Sequence, residues 1–189
     1  MSVFCLSICN SRIAYNQMIK PQDIFVGLDL CRGEQGRGTY AERGERLSMS
    51  ASEVHAAVGR LGQARLLDPE SKSVRRKSFM EFLEHGVPYV FAVHTGEVTR
   101  GIPTAWAAPV LANQIVQGGS LPPVWADPNG KTEGVSLRPL YRSVPKASRA
   151  NPDLYDLLAL VDALRIGRVR EREIAKTMLN KKLKDYATA

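Results

Sequence analysis

The chain is 189 residues long, 44% hydrophobic and 24% charged. That is globular composition, enough for one or two domains with a real core. Its three cysteines, Cys5, Cys9 and Cys31, form no disulfide framework and lack partners at metal-ligand spacing, so no metal or cofactor is expected. The net charge is +7, and it is unevenly spread. Residues 71–80 carry Lys72, Arg75, Arg76 and Lys77 with no acid, and residues 165–185 carry eight cations against three acids. Two basic segments on a near-neutral body suit phosphate contact.

Residues 1–17 read as a disordered tail. Ser7 breaks their apolar run and no basic segment leads it, so a secretory signal is rejected. Met18, just ahead of Lys20-Pro21, is an alternative start. No stretch approaches the roughly 18 apolar residues of a membrane span. Free thiols point to a reducing cytoplasm.

A first helix is expected from Pro21 to Cys31, with Ile24, Leu28 and Cys31 on one face and proline tolerated in the first turn. Gly33, Gly36 and Gly38 make the loop that follows. The segment Thr39–Leu67 then carries two helix-start signals eleven residues apart. Thr39 with Glu42, and Ser50 with Glu53, are both capping boxes, in which a hydroxyl and a glutamate satisfy each other's orphan backbone N–H. Two starts that close leave room for two short helices and a tight corner, the dimensions of a helix-turn-helix.

In the second of these helices Val54, Val58 and Leu61 share a face. Ser52, His55, Ala56, Gly59, Arg60 and Gln63 are expected on the other side. That side is small, polar and acid-free, suited to approach base edges. Leu66–Asp68, a turn at Pro69–Ser71 and Ser73–Arg75 form a short wing, with Lys72, Arg75 and Arg76 placed to hold phosphates.

The segment from about Ile19 to Leu83 resembles the winged helix-turn-helix domain of bacterial transcription regulators, and is most similar to the MarR-like group. KPQDIFVGLDL, TYAERGERL and SMSASEVHAAVGRLGQARLLD carry the resemblance. It departs from the pattern at Gly44, Gly59 and Gly62, where such domains place leucine, alanine or lysine. The resemblance implies a cytoplasmic homodimer that binds double-stranded DNA and regulates transcription, by repression as the default. Ser50, Ser52, His55 and Arg60 would face DNA.

Beyond the wing, Ser78–Glu84 reads as a helix stopped by Gly86. Residues 87–150 read as an irregular, proline-rich, β-containing region. Strands are expected at Tyr89–Val93, Glu97–Ile102, Val124–Trp125 and Val135–Leu137, the last two around a turn at Asp127–Gly130. A short helix is expected near Val110–Val116. Asn151-Pro152-Asp153 starts a further helix, Gly167 breaks it, and a basic helix runs from about Val169 to Leu183. The apolar stripe Leu154, Leu157, Leu158, Val161 and Leu164 makes 151–189 a candidate dimerisation segment.

The expected fold is thus α+β and mainly α, with domains at 18–86, 87–150 and 151–189. No nucleophile, phosphate-loop or zinc-protease motif occurs, so no enzyme is expected. The candidate DNA-binding residues are Ser50, Ser52, His55, Ala56, Arg60, Gln63, Lys72, Arg75 and Arg76. The alternative is a protein-interaction adaptor or antitoxin-like partner on the same scaffold. An RNA-binding reading is disfavoured because the basic face offers no aromatic stacking platform.

Overall fold

The computed structural model describes residues 18–112, 114–115 and 119–188. The tail expected at 1–17, with Cys5 and Cys9, lies outside the described residues. The fold is mixed α+β, about 57% helical, with one small three-stranded sheet.

Helix α1 spans Pro21–Leu30, α2 Tyr40–Leu47 and α3 Ala51–Gln63. Both capping boxes form. The Glu42 amide donates to Thr39 Oγ1 at 3.2 Å, and the Thr39 amide to Glu42 Oε2 at 2.7 Å. At α3 the Glu53 amide donates to Ser50 Oγ at 3.2 Å and the Ser50 amide to Glu53 Oε2 at 2.9 Å. Three residues, Ser48, Met49 and Ser50, make the corner. Ser48 takes the left-handed conformation at φ 51°, and the Met49 amide donates back to the Gly44 carbonyl at 2.8 Å. A side chain at Gly44 would place its Cβ 2.7 Å from the Met49 carbonyl oxygen. This glycine is therefore fixed by the tightness of the corner. Gly59 and Gly62 differ, since nothing lies within 4 Å of a Cβ added at either.

The two strands of the expected wing reduce to one bridge, Leu67 with Val74. Helix α4, Arg76–His85, follows directly. Tyr89–Val93 is not a strand. Gly86 stays right-handed, at φ −101° and ψ −54°, so the chain turns on through a four-residue helix α5, Val87–Val90. Val87 and Phe91, four apart, are buried while Tyr89 and Val90 are exposed. That is helical spacing, and it overrides β propensity.

The sheet holds β1 (Thr95–Pro103), β2 (Pro123–Ala126) and β3 (Thr132–Leu137). β1 pairs antiparallel with both others, and β2 and β3 run parallel, closing a small barrel. Gly101 pairs with both Ala126 and Thr132. A Cβ there would sit 2.1 Å from the Trp125 carbonyl oxygen, so only glycine fits where β1 passes between partners. The turn at Asp127–Gly130 forms, with the Asn129 amide on Asp127 Oδ1 at 2.8 Å. Two 3₁₀ turns follow β1, Ala105–Ala107 and Pro109–Leu111; only the second overlaps the helix expected near Val110–Val116, and Val116 lies outside the described residues.

Helices α6 (Val144–Ala150), α7 (Pro152–Ile166) and α8 (Val169–Thr188) complete the fold. Asn151 caps α7, its Oδ1 accepting from the Leu154 amide at 3.2 Å. Every residue from Leu157 to Arg165 is buried, so α7 is enclosed on all sides. It packs on α1, α4, α5, α6, α8 and both 3₁₀ turns. Its apolar stripe is spent inside the chain and leaves no free face for dimerisation. One apolar cluster runs from Ile24 through Trp125 to Leu183 across all three expected domains. Asp162, fully buried, accepts from Thr104 Oγ1 at 2.9 Å, Trp125 Nε1 at 2.7 Å and Arg165 Nη1 at 2.6 Å. That node ties the barrel to α7. Among the described residues no helix is long and apolar enough to cross a membrane.

Candidate nucleic-acid interface

Helix α3 buries Val54, Ala57, Val58 and Leu61. Ser52, His55, Ala56, Gly59 and Gln63 are exposed on its far side. Ser50 is exposed too, but its hydroxyl serves the cap, donating to Glu53 Oε2 at 2.8 Å and lying 3.1 Å from Ser52 Oγ. The His55 ring meets the Tyr40 ring edge-on at 5.2 Å, so α2 supports it from the side. Tyr40 was not among the expected site residues. A tyrosine at the first position of the preceding helix is the signal that locates it.

Two of the expected contact residues are turned to other work. Arg60 is buried, only 6% exposed, and does not join the outer face. Its Nε and Nη2 donate to Asp23 Oδ2 at 2.8 Å and Oδ1 at 2.6 Å, a two-point ion pair with α1. On the helical wheel Arg60 sits about 240° from Val54, at the border of the apolar stripe. Its long stem folds back over that border to reach a buried carboxylate. Asp23 has no exposed surface and also accepts the Lys20 amide at 2.7 Å, so the pair is fully satisfied.

Arg76 is likewise engaged within the fold. Its guanidinium donates to the carbonyls of Leu183, Tyr186 and Cys31, the last two at 3.1 and 3.2 Å. It fastens the last turns of α8 to the end of α1, supplying donors where helix carbonyls lack them. Burial pushes the Cys31 thiol beside it up to about 12, with the Arg76 charge only partly offsetting that. This thiol stays protonated and inert at neutral pH.

Lys72 and Arg75 remain exposed beside α3. Lys72 donates to the Pro69 carbonyl at 2.6 Å, and Arg75 pairs with Asp68 at 3.5 Å with both side chains well solvated. Arg65, with φ at 59°, ends α3 in the left-handed conformation and is exposed at the negative end of the helix.

A cleft of about 720 Å³ lies between the start of α2, α3 and the bridge turn, lined among others by Arg37, Tyr40, Arg43, Val58 and Lys72. Behind it one buried carboxylate, Asp29, is shared by Arg43 at 2.7 Å, Arg32 at 3.1 Å and Arg46 at 3.3 Å. Three guanidiniums converge on this one carboxylate.

The outer face of α3 is thus neutral, acid-free and low in relief, and its cations stand around it rather than on it. Comparison with protein-family models, with curated proteins and with solved structures finds no match to this chain.

Proposed function

We propose that this chain binds duplex DNA through α3 and regulates transcription by occupying its site, on a winged helix-turn-helix scaffold of the MarR-like kind. The observation that carries the reading is the exposed strip Ser52, His55, Ala56, Gly59 and Gln63, with no carboxylate and no side chain at Gly59. A strip that short and uncharged can lie against the floor of a major groove without desolvating an acid against phosphate. Three further features support it: a three-residue corner, a capped helix start, and solvated cations at Arg65, Lys72 and Arg75. Ser52, His55 and Gln63 are the base-reading donors and acceptors in this arrangement. Lys72 and Arg75 hold phosphates, while Arg60 and Arg76 build the scaffold.

The test is a substitution on the strip itself. Gly59→Glu places a carboxylate where nothing else stands, so the fold should tolerate it. Binding to mixed-sequence duplex, followed by fluorescence anisotropy, should fall at least tenfold while the urea midpoint stays within about 1 kcal/mol of the parent. Undiminished binding by Gly59→Glu would remove α3 from the interface.

A further inference from the structure

Tyr141 lies 88 residues beyond Glu53, between β3 and α6, yet it sits at the first turn of α3. Two bonds fix this corner. The Tyr141 hydroxyl donates to Glu53 Oε1 at 2.5 Å, and the Ser143 hydroxyl donates to the Leu47 carbonyl at 2.6 Å. One grips the start of α3 and the other the end of α2.

Arg142, between them, is exposed. Its Cζ lies 5.6 Å from the centre of the Tyr141 ring, a cation–π contact that holds the guanidinium near the helix start. The nearby Glu53 carboxylate is already occupied, by the Ser50 amide, the Ser50 hydroxyl and the Tyr141 hydroxyl. Arg142 therefore stands within electrostatic reach of Glu53 but makes no direct ion pair with it, and its guanidinium stays exposed.

The placement matters because of which flank of α3 it occupies. Val58 lines the basic cleft with Arg37 and Lys72. Glu53 is five positions earlier, about 140° round the helix, so Arg142 lies on the other flank. A helix with its side chains is about 10–12 Å across and the major groove is about 12 Å wide. A helix seated there has a phosphate strand along each flank. Among the described residues of the N-terminal segment, Arg37 and Lys72 stand on the cleft flank.

We propose that Arg142, carried by the C-terminal half of the chain and set beside the start of α3 by Tyr141, is a DNA-backbone contact on the flank opposite the cleft. A guanidinium suits that task, since its fork meets two phosphate oxygens at once. Residues beyond 137 then complete the interface as well as bracing it.

The proposal rests on the reading of α3 as the DNA-facing helix, and one salt series separates the two. Full-length protein, Arg142→Ala and Arg142→Lys are titrated with a labelled duplex of mixed sequence at increasing salt. The parent should lose affinity linearly in log salt. Arg142→Ala should bind more weakly on every duplex alike, with a slope shallower by about 0.9, the value of one phosphate contact. Arg142→Lys should keep the parent slope, because the charge remains. Arg142 is exposed, so all three should share one urea midpoint. A parent that binds with a steep slope and an Arg142→Ala that keeps it would overturn the Arg142 contact alone. A parent with no salt-dependent duplex binding would overturn the α3 reading, and the Arg142 contact with it.

Discussion

Arg60 and Asp23 show how one residue's partner decides its role. Both are under a tenth exposed, and they join α3 to α1 through two short bonds. Removing one partner strands a buried charge, which costs about 3–5 kcal/mol. Asp23→Ala should lower the unfolding free energy by that amount, read from urea denaturation. The double variant Asp23→Ala with Arg60→Met should lose less than Asp23→Ala, because no orphan charge remains. A cost below about 1 kcal/mol for Asp23→Ala would mean that the pair is solvated. The pairing spans 37 positions. Spacing along α3 places Arg60 at the edge of its apolar stripe, but only the fold brings a carboxylate to it.

At the scale of elements, the helix starts and the three strands of the sheet were legible, and the run at Tyr89–Val93 was not. A capping box is a contract between residues three apart, so the sequence carries all of it, and both boxes form as expected. The glycine at position 44 is also local, answering to a carbonyl five residues on. The run at Tyr89–Val93 misleads because its β-branched and aromatic residues respond to a tertiary demand. Val87 and Phe91 fill a core that α7 supplies from far along the chain. The α3 cap has a long-range part as well. Hydrogen bonds from the Tyr141 hydroxyl and then from Ser50 lower the Glu53 carboxyl to about 2, from an ordinary value of 4.5. A folded value below the unfolded one means stability that is complete above the unfolded value and lost as pH falls through the folded one. Tyr141→Phe removes the largest of those causes. Its urea midpoint should therefore lie below the parent's near about pH 6 and converge on it by about pH 2. A gap that stays constant to the acid end would show that the tyrosine acts through packing alone.

For the molecule as a whole, the organising element is α7. Sequence periodicity finds its apolar residues but cannot say what they face, and an exposed dimer seam reads the same as a core. In the fold α1, α4, α5, α6 and α8 all pack on it, and the Asp162 node draws the barrel in. Residues 18–86, 87–150 and 151–189 therefore share one core and should unfold as one unit. Leu160→Ala, fully buried at the centre of α7, should cost about 2–5 kcal/mol. Tryptophan emission, which reports Trp106 and Trp125, and far-UV ellipticity, which reports the helices, should fall together at the same lowered urea concentration. Separate transitions for the two signals would show that the barrel and the helices are independent.

The enclosure of α7 also sets the timing of assembly during synthesis. Helices α1 to α3 are translated before α7, which covers α1. Arg76 has the Cys31 carbonyl from the start, but finds its other two acceptors only when the carbonyls of Leu183 and Tyr186 have been made. While the ribosome is still adding residues beyond 150, α1 lacks the helix that covers it. A chain interrupted before α7 should therefore expose apolar surface on α1.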